Sequence, residues 1–270
     1  MNQSQSSGGV AVITGAASGI GRGLALHASS RGMAVVLADW DEAGLAETSA
    51  RLDGDHAGLK VDVRQAGDLE ALAELVYSRF GAVDFLFNNA GVLSSGLSWE
   101  IEQAVWERSF DVNVLGVVNG IKAFVPRMLA ADRPARIINT ASVGGFFTGP
   151  LMAPYAASKA AVVSLTEALQ HELASKGGKV QASVLAPGPV ATGIMREEAG
   201  KGSERLVEKM RTLSAELGAD PDSYAALIFE AIDAGEFWIV PQPESLDDRL
   251  KARTQMILDR RSPTEPNDKE

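Results

Sequence analysis

From Val10 onward the chain alternates short β-branched runs with longer stretches of helical periodicity, and this alternation restricts the fold more than any other feature. The runs are "VAVIT", "AVVLA", "GLKV", "VDFLF", "ARIINTA", "VQASVLA" and "FWIV". Helical patterns lie between them over Gly19 to Arg31, Asp41 to Leu52, Gln65 to Phe80, Asp111 to Ala131, Ala153 to Ser175, Glu204 to Leu217 and Asp220 to Ala234. Strands that alternate with helices run parallel and are covered on both faces. The expected fold class is therefore α/β, a doubly wound seven-stranded parallel sheet.

No linker or internal repeat interrupts Val10 to Val240, which reads as one domain within 270 residues. Residues 1–9 read as a flexible tail. Residues 241–270 read as a tail with a short amphipathic helix, Leu246, Leu250, Ile257 and Leu258 on one side, and a disordered end. The chain has no cysteine and three scattered histidines, so no metal site is expected. A net charge of −10 argues against nucleic acid and anionic membrane as partners and favours a small molecule. No apolar run approaches the roughly 18 residues of a transmembrane helix. The opening "MNQSQSSGG" has no signal-peptide character, so the expected location is the cytoplasm.

The first strand runs into "TGAASGIG", with Gly15, Ser18, Gly19, Ile20 and Gly21 opening a helix. Glycines admit close backbone approach, and a helix N-terminus offers unpaired N–H groups to a pyrophosphate. The spacing G-x-x-x-G-x-G differs from the G-x-G-x-x-G fingerprint, so context has to support it. Asp39 supplies that context: it ends the second strand, 18 residues after Gly21, where a carboxylate can accept both ribose hydroxyls of adenosine. A 2′-phosphate there meets a like charge with no adjacent Arg or Lys, which favours NAD over NADP. Asp41 is the more natural cap of the next helix. Trp40 either covers the adenine or packs on the surface. Asp62 either bonds the adenine amino group or forms a turn, and Val63 lines the ring. "NNAG", containing Asn89, Ala90 and Gly91, follows the fourth strand at the point where strand order reverses; Asn89 can also tie strands together.

"PYAASKAAV" places Tyr155 and Lys159 one helical turn apart on one face. An ammonium beside a phenol stabilises phenolate, and the positive ring of oxidised nicotinamide adds to the effect, giving a usable acid/base. Ser142, thirteen residues earlier at a strand end, can hold a carbonyl or alcohol oxygen. Asn113, an amide inside an apolar helix, needs partners; a bound water would let it pass a proton out through Lys159.

With these motifs in order, the chain resembles the short-chain dehydrogenase/reductase family over nearly all of Val10 to Val240, through "TGAASGIG", "NNAG", "NVLG", "TASVGG", "YAASK" and "PGPVAT". The resemblance implies a Rossmann-type fold, a nicotinamide cofactor and a catalytic tetrad of Asn113, Ser142, Tyr155 and Lys159. It also implies that Lys159 binds the nicotinamide ribose, that Pro187, Gly188 and Val190 flank the nicotinamide, and that Thr192 contacts its carboxamide. A homotetramer or homodimer is implied, with the helices Asp111 to Ala131 and Ala153 to Ser175 as contact surfaces.

Candidate substrate residues are Ser142, Phe146, Phe147, Met152, Tyr155 and Met195, mostly apolar, which points to an apolar or aromatic secondary alcohol or ketone. Ile194 to Gly202 reads as a lid or as an ordinary loop. The leading function is an NAD-dependent alcohol dehydrogenase. The alternatives are an NADPH-dependent ketone reductase and a cofactor-sensing protein without catalysis.

Overall fold

The strand β1 (Val10–Thr14) is buried throughout, and its side chains alternate between two apolar layers. Val10 and Val12 face one core with Leu69, Leu72, Phe124, Ile137 and Leu169, whereas Ala11 and Ile13 face the other with Leu24, Leu37, Phe87, Ile228 and Phe229. This computed structural model describes residues 8–190, 194, 200–216 and 220–263.

Seven parallel strands form one sheet in the order β3-β2-β1-β4-β5-β6-β7. The others are β2 (Ala34–Asp39), β3 (His56–Lys60), β4 (Phe85–Asn88), β5 (Ala135–Thr140), β6 (Val180–Leu185) and β7 (Trp238–Ile239). β1 pairs with β2 from Val10↔Ala34 and with β4 from Ala11↔Phe85, so strand order reverses between β1 and β4. Helices α1 (Gly19–Ser30), α2 (Glu42–Ser49) and α8 (Pro221–Asp233) supply the second core. The first draws on α3 (Ala66–Phe80), α5 (Gly116–Ala130) and α6 (Ala153–Ser175). The doubly wound single domain expected from the alternation, and the Rossmann-type fold implied by the resemblance, are what is observed.

Several boundaries differ from the sequence reading. The helix expected from Asp111 starts at Gln103: α4 (Gln103–Phe110) passes through a π-helical turn, Asp111–Leu115, straight into α5. The resulting helix, Gln103–Ala130, has 28 residues and is by length and composition long enough to cross a bilayer, contrary to the expectation that no apolar stretch is. Its buried residues Ala123, Phe124 and Met128 pack in the core of the sheet, which is how a core helix reaches this apolarity. β3 begins two residues before "GLKV", and β7 is shorter than "FWIV".

After α7 (Glu204–Glu216) and α8, the C-terminal helix is α9 (Asp247–Leu258). Of its four expected packing residues only Leu246, at 4% exposure, is buried; Leu250 is half-buried, and Ile257 and Leu258 are exposed. The helix leaves the domain surface after its first turns, so the later apolar residues have nothing to pack on. Residues 1–7 of the N-terminal tail and 264–270 of the C-terminal one lie outside the described residues.

Candidate active site

The carboxyl ends of β1, β2, β4, β5 and β6 border one cleft of about 1100 Å³. At its β1 end the backbone makes a tight approach. Gly15 has φ +69°, and a Cβ on it would lie 2.9 Å from Ala90 Cα. A Cβ on Gly21 would overlap the Gly15 carbonyl oxygen, so the loop closes only with glycine there. Gly15, Ser18 and Ile20 line the cleft; Gly19 (φ +55°) and the buried Gly21 shape the loop from behind.

Asp39 lines the cleft at the end of β2 and braces this loop. One carboxylate oxygen accepts from Ala17 N at 2.9 Å and the other from Asp41 N at 3.1 Å. Asp41 caps α2, accepting from Gly44 N. Arg22, the cation nearest in the loop, donates to the Ala17 carbonyl, to Thr48 Oγ1 and to Glu47. Trp40 is 73% exposed and lines the cleft beside Asp39, so it is not packed on the surface.

Asp62 forms the turn that the sequence allowed, its carboxylate accepting from Arg64 N at 3.1 Å and its carbonyl from Gln65 N at 2.8 Å. Its carboxylate is taken up by Arg64, whose Nε donates to Oδ1 at 2.9 Å and whose second nitrogen donates to Oδ2 at 2.6 Å. The guanidinium hydrogen bonds hold the Asp62 carboxyl below its usual range. Asp62, Val63 and Arg64 all line the cleft wall here.

"NNAG" is clamped to β1. Thr14 Oγ1 donates to Phe87 O and accepts from Asn89 N and Ala90 N. Asn89 Nδ2 donates to Thr14 O at 3.0 Å, and Asn89 Oδ1 accepts from Thr140 Oγ1 at 3.4 Å, so one side chain spans three strand ends. Asn89, Ala90 and Gly91 all line the cleft.

At the other end α6 begins with Pro154 in its first turn, where the ring's missing N–H costs nothing. Tyr155 and Lys159 then face the cleft together. Lys159 is 2% exposed, and its Nζ donates to Thr140 O at 2.9 Å while standing 5.9 Å from the centroid of the Tyr155 ring. Burial depresses its pKa from 10.5 to about 8. Ser142 ends the β5 edge, and its Oγ accepts from Gly144 N at 3.1 Å. A Cβ on Gly144 would lie 3.5 Å from both Ser142 Oγ and the Tyr155 ring, so this glycine sits between hydroxyl and phenol.

One detail corrects the sequence reading. Lysine was expected to draw the Tyr155 pKa down, but burial pushes it up and the facing Ser142 hydroxyl opposes this only in part. The ammonium is turned toward the Thr140 carbonyl and is itself short of solvent, so it does not offset that burial. Asn113 is fully buried and its side chain is hydrogen-bonded to protein groups. Its Oδ1 accepts from Val92 N at 2.8 Å, and its Nδ2 donates to Val92 O at 3.0 Å and to Ser158 Oγ at 2.9 Å.

Phe147 and Met152 line the cleft, but Phe146 does not. It packs edge-on against Trp238, 5.7 Å between centroids, at the β7 side of the sheet. Pro187, Gly188 and Val190 line the cleft, and Gly188 N donates to Tyr224 Oη at 3.2 Å. Thr192 and Met195 lie outside the described residues, as does most of Ile194 to Gly202. The sequence reading missed Arg64, Leu206, Met210, Glu244, Ser245 and Arg249, which also border the cleft. The last three fall in what reads as a tail, and nothing local in the sequence marks them.

A glycine cradle at one end, a carboxylate at the β2 end, small residues across the middle and a phenol with a buried ammonium at the other end fit a dinucleotide laid along the strand ends. Residues 9–202 match the short chain dehydrogenase family. A short-chain dehydrogenase/reductase from Burkholderia phymatum, solved in complex with NAD, is 39% identical and superposes over 96% of this chain and 97% of its own with a TM-score of 0.92. An uncharacterised oxidoreductase of Listeria monocytogenes is 34% identical over 230 residues, 84% of this chain and 91% of that protein. The 1-deoxy-11-beta-hydroxypentalenate dehydrogenase of Streptomyces exfoliatus is 34% identical over 250 residues, 91% of this chain and 86% of that one. This chain belongs to the short-chain dehydrogenase family and is an oxidoreductase.

Proposed function

We propose that the protein is an NAD-dependent dehydrogenase acting on an apolar or aromatic secondary alcohol, or on the corresponding ketone in reverse. The observation that carries this reading is the meeting of Tyr155 and Ser142 across Gly144, with Lys159 buried behind them, in the same cleft that Asp39 borders.

The glycine loop and α1 N-terminus would receive the pyrophosphate, Asp39 the adenosine ribose, and Pro187 to Val190 the nicotinamide. NAD, when bound, supplies the hydride acceptor. Ser142 Oγ holds the substrate oxygen, and Tyr155 takes the hydroxyl proton as the carbinol C–H electron pair departs as hydride and the C=O bond forms. Burial alone keeps the Tyr155 phenol protonated, so its ionisation needs added positive charge nearby. The oxidised nicotinamide would carry that charge, and Lys159 would hold its ribose. The apolar groups Phe147, Met152, Leu206 and Met210 would shelter the rest of the substrate. The names of two relatives agree with this reading: one is a complex with NAD, the other a 1-deoxy-11-beta-hydroxypentalenate dehydrogenase.

The catalytic unit would span Val10 to Val240 and work in the cytoplasm as a homodimer or homotetramer. A shallow groove on the long helix, bordered by Trp106 and Phe110, with the exposed Leu115 on the same helix, supports assembly there. Tyr155→Phe tests the chemistry. Its NAD affinity by fluorescence titration should be retained while kcat falls by about 10²- to 10⁴-fold. A variant that turns over at the wild-type rate removes Tyr155 from the mechanism.

A further inference from the structure

Part of the cleft lining comes from beyond residues 9–202, including Glu244, Ser245 and Arg249. This segment is fixed to the domain. Leu246 is buried, Ser245 Oγ donates to Gln242 O at 2.6 Å, and a Cβ on Gly188 would lie 2.6 Å from that same hydroxyl oxygen. Arg249, in the first turn of α9, is thereby held over the loop that follows Ser142, its guanidinium carbon 4.9 Å from the centroid of the Phe147 ring.

No carboxylate of a described residue pairs with Arg249, and the Phe147 ring is its one recorded partner. In a chain of net charge −10, this places a cation without an acid partner on a cleft whose lining also includes the apolar Phe147, Met152, Leu206 and Met210. Stacking against an aromatic face fixes the guanidinium through the ring quadrupole and leaves its N–H edge open. That planar fork matches a carboxylate, and apolar surroundings strengthen the pair. Glu244 on the same wall is the opposing charge, and it makes no ion pair with Arg249 among the described contacts.

We propose that Arg249 is a specificity residue that pairs with a carboxylate carried by the substrate away from its carbinol, making the substrate class apolar or aromatic hydroxy acids and their keto acids. This rests on the reading of the cleft as an alcohol site, and binding can be measured apart from turnover. Acetophenone, 4-acetylbenzoate and 3-(4-acetylphenyl)propanoate are titrated by calorimetry into the NAD-loaded protein, where ketone and oxidised cofactor cannot react. At least one carboxylate should bind about tenfold tighter than acetophenone, as expected for hydrogen bonds to a charged group. Arg249→Met should bring that ratio to about one, and raising salt from about 0.05 to about 0.5 M should shrink it in the wild type. A wild-type ratio near one, or a preference that survives in Arg249→Met, overturns the proposal. Oxidation of the three matching alcohols is followed in parallel. Carboxylate preference in binding without turnover of any alcohol supports the anion site and rejects the dehydrogenase reading; turnover without preference does the reverse.

Discussion

Lys159 is the only charged residue among the described buried ones, and its position makes the fold sensitive to alkaline pH in a calculable direction. Its pKa is 10.5 when solvated and about 8 in the fold. Between those values the unfolded chain holds a proton that the folded chain has released, so stability rises with pH there. At about 1.4 kcal/mol per tenfold in proton affinity, the wild type should gain about 2 kcal/mol relative to Lys159→Met between about pH 7 and about pH 9.5. The Thr140 carbonyl left bare by the substitution adds a pH-independent offset and so cancels from this difference. Urea unfolding of both proteins at the two pH values measures it; a constant gap would mean that the charge carries no burial cost. The pairing of Tyr155 with Lys159 is legible in the sequence because i and i+4 on one helix is local geometry. The ammonium's bond to Thr140 O is not, since a strand-end carbonyl has no residue signature. The Arg64 partner of Asp62 was hidden for a similar reason, since the pairing of an exposed guanidinium is decided by side-chain rotamers.

The π-helical turn is the element on which the cleft's middle depends. Asp111–Leu115 carries Asn113 inward, and that amide ties the segment after β4, through Val92, to Ser158 on α6. Asn113→Ala would leave the half-buried Val92 N–H and carbonyl without these partners, while Ser158 keeps its bond to Tyr155 O. A loss of about 2–4 kcal/mol follows from two stranded groups at about 1–3 kcal/mol each, somewhat relaxed. Chemical denaturation gives this number directly, and a cost under about 0.5 kcal/mol would show that the segment finds other partners. Element type was readable wherever burial imposes a period, as in β1 and α6. The start of α4 was not, because it buries only Ser109 and has no side-chain cap. The turn itself was invisible as well, since one i→i+5 step leaves the apolar pattern unchanged over so short a span. Expecting α9 to pack along its length failed for the converse reason: an amphipathic pattern states that a face exists, not that the domain extends far enough to cover it.

At the scale of the molecule, seven parallel strands put their carboxyl ends at one edge, and the reversal of strand order between β1 and β4 opens a crevice there between the two halves of the sheet. A dinucleotide lying there would contact Asp39 in one half and α6 and Pro187 to Val190 in the other, so its binding energy should appear in unfolding of the whole domain. At about 100 times Kd a ligand adds about 2.7 kcal/mol, which in a domain of this size raises Tm by about 5–10 °C. NADP at the same concentration brings its 2′-phosphate to Asp39, whose carboxylate is already oriented by Ala17 N and Asp41 N. Arg22 cannot soften that encounter without giving up the Ala17 carbonyl and Glu47, and the overall charge of −10 adds a weaker repulsion at long range. NADP should therefore move Tm by less than about 2 °C under conditions where NAD moves it by more than about 5 °C. Asp39→Asn should narrow that gap from the NADP side, because it removes the like charge while keeping an acceptor for Ala17 N. Equal shifts by the two nucleotides in the wild type would mean that the β2-end carboxylate does not read the ribose, and the preference for NAD would have to be abandoned.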